Sequence, residues 1–196
     1  MFLETIRLED GKIFHLEYHQ RRVAEVFEKF GCHQSPLDLY NYLKELPQQG
    51  VYRVRVVYSL DEVLSLEYIP YHKREIKTLR LVEDRALEYR YKFANREAID
   101  TLFTLREGCD EILITQNGYI KDTSIANVAF YDGKVWWTPK SPLLRGTTRQ
   151  RFLENGFLHL KDIHKDEIFS YKGFALMNAM VDFDIITQVN LKDIMC

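Results

Sequence analysis

Short runs of alternating and helically spaced apolar residues divide the chain. Leu3 to Leu8 reads as a strand, and Asp10-Gly11 is a turn signal into a second strand at 12–15. Leu16, His19, Val23, Val26, Phe27 and Phe30 fall at helical spacing over 16–30, with Gly31 placed as the stop. Pro36 to Leu46 reads as a second helix. At 51–58 valines alternate with arginines (Val54 and Val56, Arg53 and Arg55), which predicts a strand, with Val63 to Ile69 as its hairpin partner. The polar, aperiodic stretch Ile69 to Arg74 marks a crossing between two halves.

The second half opens with a strand at 77–82. A helix follows over 95–107, stopped by Gly108. Three apolar runs come next, at 111–115, 125–131 and 134–138, set off by Asn117-Gly118 and Asp132-Gly133. They predict a meander of hairpins. A helix over 146–155 follows a loop with Pro139 and Pro142. Strands are expected at 174–177 and 185–189. Strands and helices mixed in two halves predict an α+β (mixed α/β) architecture.

Composition narrows the function classes. Of the 196 residues, 46% are hydrophobic and 29% charged, enough for a core and a solvated surface. Net charge is -2, so the basic excess of a nucleic-acid binder is absent. No apolar run approaches the roughly 18 residues that span a bilayer, and no signal peptide is visible at the start. Cys32, Cys109 and Cys196 are far apart, odd in number and form no CxxC pair. This argues against a disulfide framework or a metal site, and for a reducing, cytoplasmic location.

Four clusters carry chemistry. Leu16-Glu17-Tyr18-His19-Gln20-Arg21-Arg22-Val23 follows the first hairpin. Tyr89-Arg90-Tyr91-Lys92-Phe93-Ala94-Asn95 sets a lysine among aromatics, and burial there would lower its pKa and favour the nucleophilic amine. Asp122-Thr123-Ser124-Ile125-Ala126-Asn127 places a carboxylate before small residues. Leu144-Arg145-Gly146-Thr147-Thr148-Arg149 places a glycine and hydroxyls at a helix start, where free amides bind anions. Each also has an ordinary structural reading: a solvated helix face, a surface lysine, an Asp turn and a helix cap.

Together and in this order, the clusters resemble the class IV aminotransferase family, which includes D-amino-acid and branched-chain aminotransferases and aminodeoxychorismate lyase. The resemblance implies a two-domain fold-type-IV enzyme dependent on pyridoxal 5′-phosphate (PLP). Its small N-terminal α/β domain would be residues 1–72 and its larger, barrel-like domain 73–196, with the N-terminus shortened relative to the family and PLP in the cleft between. Lys92 would hold the cofactor covalently and act as base and acid, and Asp122, where the family usually has glutamate, would pair with the ring nitrogen. Arg22, Gly146, Thr147 and Thr148 would hold the phosphate. Arg7, Arg53 and Arg55 are candidates for a substrate carboxylate, although Arg53 and Arg55 equally suit the solvent face of a strand. The resemblance also implies a homodimer and a small-molecule amino substrate. An aminotransferase resembling the D-amino-acid enzymes is the first expectation. The alternatives are a lyase yielding 4-aminobenzoate and pyruvate, which Asn178-Ala179 favours slightly, and a binding subunit that no longer catalyses.

Overall fold

The computed structural model describes residues 1–31, 34–187 and 191–196. The chain divides into two compact units. One comprises Met1–Lys73 with Tyr91–Asn95, the other Arg74–Arg90 with Arg96–Cys196.

In the first unit, β1 (Phe2–Glu9), β2 (Lys12–Ile13), β3 (Val51–Tyr58) and β4 (Val63–Pro70) form an antiparallel sheet in the order β2-β1-β3-β4. The Asp10-Gly11 turn uses two left-handed residues, φ 47° and 76°, as a two-residue hairpin requires. Ile6 and Leu8 of β1 and Val54 and Val56 of β3 are fully buried. They pack with Val23, Val26 and Phe27 of α1 (Leu16–Lys29) in one core cluster. The buried stripe of α1 also includes His19 and Arg22. A histidine and an arginine therefore sit where the period calls for apolar residues.

β1 pairs with β2 only at Leu8 and Glu9. The remainder of that edge is met by the segment around Lys92. Leu3 N–H donates to Lys92 O (3.0 Å), Ala94 N–H donates to Met1 O (3.1 Å), and Phe2 bridges Phe93. These bonds anchor Tyr91–Asn95 to the first unit.

The helix expected over 36–46 is replaced by one 3-10 turn, Leu39–Asn41. The Gln20 side chain explains much of this, because it donates to Leu37 O (2.8 Å) and accepts from Leu39 N–H (2.9 Å). Asp38 caps the short turn, Glu45 is left-handed (φ 52°) and Pro47 follows. Local side-chain bonds thus outcompete the helix.

In the second unit, β5 (Leu79–Glu83) runs parallel to β6 (Glu111–Gln116), and α2 (Glu97–Thr104) lies on the connection. β6, β7 (Tyr119–Thr123), β8 (Asn127–Tyr131) and β9 (Trp136–Pro139) follow as an antiparallel meander. α3 (Thr147–Glu154) leads to β10 (Leu158–Lys161), parallel to β9. β11 (Gly173–Asn178) lies antiparallel to β8 and forms a hairpin with β12 (Asp182–Thr187). β8 is buried on both faces. Val128 and Phe130 join Leu113, Ile120, Phe174 and Leu176 on one side. Ala129 joins Leu158, Ala175 and Met177 on the other, with Phe152 and Leu153 of α3 packed against them.

β7 and β10 were not expected. Asp122-Thr123 read as part of a polar motif, yet both residues belong to β7 and are buried. The run expected as a strand from 125 begins at Asn127, because Thr123 closes a tight turn on Ala126 through backbone and hydroxyl bonds. Of the strand expected over 185–189, residues 185–187 lie in β12, and Gln188 and Val189 lie outside the described residues.

The cysteine spacing argued against a disulfide, but Cys109 and Cys196 are bonded, with Cα atoms 6.4 Å apart. Spacing could not show that the chain's last residues run beside β5. Leu79 N–H donates to Ile194 O (2.7 Å) and Cys196 N–H to Leu79 O (2.9 Å), which brings Cys196 to the connection before β6. Cys32 lies outside the described residues. Because the bond closes a loop of 87 residues in sequence, Cys196→Ser is expected to cost about 2–4 kcal/mol under oxidising conditions. The difference from wild type should vanish in dithiothreitol, and urea unfolding with and without reductant measures both.

Candidate functional site

In the first unit, Lys92 is a half-buried residue held in a left-handed backbone conformation, φ 49°. That conformation costs a non-glycine residue about 1 kcal/mol, and the bonds to Met1 and Leu3 enforce it. Near it lies a buried polar trio. Arg22 donates from Nε to Glu4 Oε1 (2.8 Å) and from Nη2 to Glu4 Oε2 (2.5 Å). His19 Nδ1 is 2.5 Å from the same Oε2.

Glu4 and His19 are each 1% exposed and Arg22 8%, so the trio lies within the core. Burial alone would raise the Glu4 carboxyl. The charge of Arg22 and the hydrogen bonds from His19 and Arg22 outweigh it and bring Glu4 down to about 2. His19 is held below its ordinary value, chiefly by burial and also by the charges of Arg22 and Lys92. Glu4 is therefore an anion at neutral pH and His19 a neutral ring, with its proton on the nitrogen that faces Glu4.

The three other arginines named from sequence lie on the sheet itself. Arg7 is paired with Glu9 (2.7 Å) and Arg55 with Glu67 (3.8 Å), while Arg53 is exposed. Arg7 and Arg53 are direct cross-strand partners.

In the second unit, the third and fourth clusters converge on one carboxylate. Asp122, at the end of β7, is 4% exposed. Its Oδ1 accepts from Asn127 Nδ2 (2.7 Å) and its Oδ2 from Leu144 N–H (2.9 Å). Asn127 Nδ2 also donates to Leu144 O (2.8 Å). One side-chain amide therefore ties the carboxylate loop to the loop that opens α3.

Burial pushes Asp122 up to about 6, against the lowering effect of these donors and of Arg149 at longer range. Among the described residues no cation pairs with Asp122 directly. Burial likewise lowers Arg149 to about 10. Arg149 donates to Pro139 O (2.7 Å) and Thr138 Oγ1 (3.3 Å), and so fixes the start of α3 from below.

Gly146 is the N-cap of α3, with no side-chain cap on the helix, and Thr147 and Thr148 follow, both buried. A Cβ at Gly146 would stand 2.1 Å from Asn127 Oδ1, so only glycine fits. Glu111, fully buried, pairs with Arg74 and accepts from Ile112 N–H (2.9 Å) and Ser124 N–H (3.3 Å). It thereby supports the loop just beyond Asp122.

The sequence reading did not foresee Glu4, His19 and Arg149 as partners. The signal for His19 was present in the α1 stripe, where His19 and Arg22 are spaced i, i+3 on the apolar face. Arg149 gave no signal of its own.

Each unit by itself carries groups that suit a part of PLP: in the first, a half-buried lysine in a fixed backbone conformation and a buried arginine, and in the second, a buried carboxylate able to face a protonated ring nitrogen and a glycine-opened helix start able to face a phosphate. A mixed α/β chain with two such sheets has the fold of a fold-type-IV PLP enzyme. The model for the family "Amino-transferase class IV" matches residues 1–189, and the chain belongs to that family. It is accordingly a PLP-dependent enzyme.

The chain is similar to an uncharacterised protein of Haemophilus influenzae, with 34% identity over 90% of this chain and 96% of that one. It is 28% identical to a Schizosaccharomyces pombe protein provisionally named an aminodeoxychorismate lyase, over 88% of this chain and 83% of the other. The crystal structure of a Haemophilus somnus protein, provisionally called a 4-amino-4-deoxychorismate lyase, superposes with a TM-score of 0.85 at 31% identity. That match covers 91% of this chain and 95% of the other.

Two measurements test the groups gathered in the second unit. Gly146→Ala must displace Asn127, so PLP affinity should fall at least tenfold while the protein stays folded by circular dichroism. Burial holds the folded Asp122 carboxyl up at about 6, above the ordinary value of about 3.9. Its contribution to the stability of the cofactor-free protein is therefore full below pH 4 and lost as pH rises through 6. Asp122→Asn should flatten that part of the stability–pH curve, by about 2 kcal/mol between pH 4 and pH 7. Urea unfolding at several pH values reads it.

Proposed function

We propose that this enzyme uses PLP to work on the amino-bearing carbon of a small carboxylate substrate, and that its reaction is a lyase elimination of the 4-amino-4-deoxychorismate type, releasing pyruvate. The observation that carries the PLP assignment is Asp122, a buried carboxylate held by dipoles and raised to about 6. A protonated ring nitrogen is the cation that would draw it back to the ionised state. Two relatives above 25% identity that carry functional names favour the lyase. The Asn178 side chain accepts from Met180 and Val181 N–H and donates to Ile125 O (3.2 Å), joining the β11–β12 turn to the loop after Asp122.

When bound, PLP supplies an electron sink for negative charge at the substrate carbon. Lys92 would carry the cofactor and move the proton at that carbon. Asp122 would keep the ring nitrogen protonated, and Asn127 with the Leu144 amide holds that carboxylate in orientation. Arg22 and the Gly146–Thr148 turn are the residues that would hold the phosphate.

For the substrate, the Arg7–Arg53 register is informative. Like charges directly opposite each other destabilise a sheet. Arg55, two residues along β3 from Arg53, lies on the same face. Glu9 and Glu67 already pair with Arg7 and Arg55, and this face is proposed for a substrate carboxylate. An aminotransferase resembling the D-amino-acid enzymes is the second reading, favoured by the family match itself. We further propose a homodimer, to be measured as twice the 23.4 kDa chain mass by light scattering. A cytoplasmic location is also proposed, and a Cys109–Cys196 pair found reduced in rapidly alkylated cells would support it.

Purified protein with PLP should show a visible absorption band near 400–430 nm that Lys92→Ala lacks. Identical spectra would remove Lys92 from its role. Pyruvate release from aminodeoxychorismate with no amino acceptor present supports the lyase. Turnover only with a 2-oxo acid acceptor makes the enzyme an aminotransferase.

A further inference from the structure

The Glu4–His19–Arg22 trio is expensive to bury. Ion pairs in a core are often no better for stability than apolar groups of the same size, so this one invites a functional reason. All three side chains lie in the stripe where α1 meets β1, among Ile6, Val23 and Val26. The geometry is specific. Glu4 takes Nε with one oxygen and Nη2 with the other, a fork-to-fork contact that fixes the plane of the guanidinium. His19 approaches the oxygen that receives Nη2 and so fixes the carboxylate in turn. Two of the three guanidinium nitrogens are thereby set in place, and the direction of Nη1 follows from them.

We propose that Glu4 and His19 are positioning residues, a carboxylate–imidazole brace that aims Arg22 at the phosphate of the cofactor. This rests on the reading of Arg22 given above and extends it to two residues that do not touch the phosphate. The brace acts by orientation, and its sign separates it from a charge effect. Glu4 is an anion beside a group that binds an anion, so on charge alone its removal strengthens phosphate binding. If the brace matters through geometry, its removal weakens binding. His19, neutral, contributes no compensating charge and acts only through Glu4.

The test uses the full-length protein stripped of cofactor and titrated with two probes, PLP and pyridoxal, the latter lacking the phosphate. Glu4→Gln keeps the shape and loses the charge, and His19→Gln removes the imidazole while leaving Glu4. The expected result is a PLP dissociation constant about tenfold weaker in Glu4→Gln and severalfold weaker in His19→Gln. Pyridoxal affinity should be unchanged in both, with kcat recovered at saturating PLP. Glu4→Asp should recover part of the loss. PLP binding that is unchanged or tighter in both variants overturns the proposal. Equal weakening of PLP and pyridoxal also overturns it, since the trio is then only a structural element. His19→Gln decides the matter if Glu4→Gln fails to fold. Arg22→Gln separates the two levels: if it leaves PLP affinity untouched, the phosphate role of Arg22 fails and the brace fails with it. A loss in Arg22→Gln with none in the Glu4 and His19 variants leaves Arg22 in place and removes only the brace.

Discussion

The side-chain amide of Asn127 joins parts of the second unit that the chain keeps far apart. Asp122 sits five residues before it and Leu144 seventeen after, and the Asn127 amide donates to both. The Leu144 N–H completes the circuit on the other Asp122 oxygen. Gly146 must then pass so close to Asn127 that a methyl group has no room. The end of β7, the start of β8 and the opening of α3 are thus tied together by one small network. In a buried setting such a network is either fully satisfied or costly, and here its members satisfy one another.

Each unit buries a carboxylate, and the contrast between them is informative. Glu4 receives a guanidinium and an imidazole and is brought down to about 2. Asp122 receives an amide side chain and backbone N–H groups and is left at about 6. Both are almost wholly shielded from solvent, so the difference lies in the partners. A full positive charge in contact repays the desolvation of a carboxylate, and dipoles repay only part of it. Glu4 therefore behaves as a completed ion pair whose work is done inside the protein. Asp122 behaves as a group suited to a cation brought by a cofactor.

Where local pattern decides structure, the sequence reading anticipated it. The valine–arginine alternation at 51–58 gave β3, the stripe from Leu16 gave α1, and the Asp10-Gly11 and Asn117-Gly118 turns adopt left-handed backbones. It failed where distant contacts override local preference. The Gln20 side chain holds 37–39 out of the helix that its neighbours suggest. Asp122 and Thr123 look like turn residues, yet they are strand residues because β6 and β8 flank them. The Cys109–Cys196 bond depends on a terminal segment laid against β5, which no spacing rule encodes. The candidate site residues divide in the same way. Lys92, Asp122 and Gly146–Thr148 stood out as motifs, whereas Glu4, His19 and Arg149 became visible only through the side chains and carbonyls they bond.

The backbone at Lys92 extends this logic to the residue proposed to carry the cofactor. Left-handed backbone is ordinary for glycine and asparagine and unfavourable for lysine. The bond from Leu3 N–H to Lys92 O, the bond from Ala94 N–H to Met1 O and a bridge from Phe2 to Phe93 hold it there. Phe93 stacks on Phe2 at 5.6 Å, and Tyr91 meets Phe30 edge-on at 5.3 Å. Aromatic packing on either side fixes the segment, so the strain falls on the residue between them. Glu4 follows Leu3, the residue bonded to Lys92, by one position, and His19 feels the Lys92 charge. The first strand therefore places the lysine and the arginine brace in one frame. A shift of β1 by a single residue would turn Glu4 to the opposite face and move the anchor of Lys92 with it. The register of β1 against β3, with Ile6 opposite Val54, Leu8 opposite Tyr52 and Glu4 opposite Val56, is in this sense a constraint on the chemistry as well as on the core.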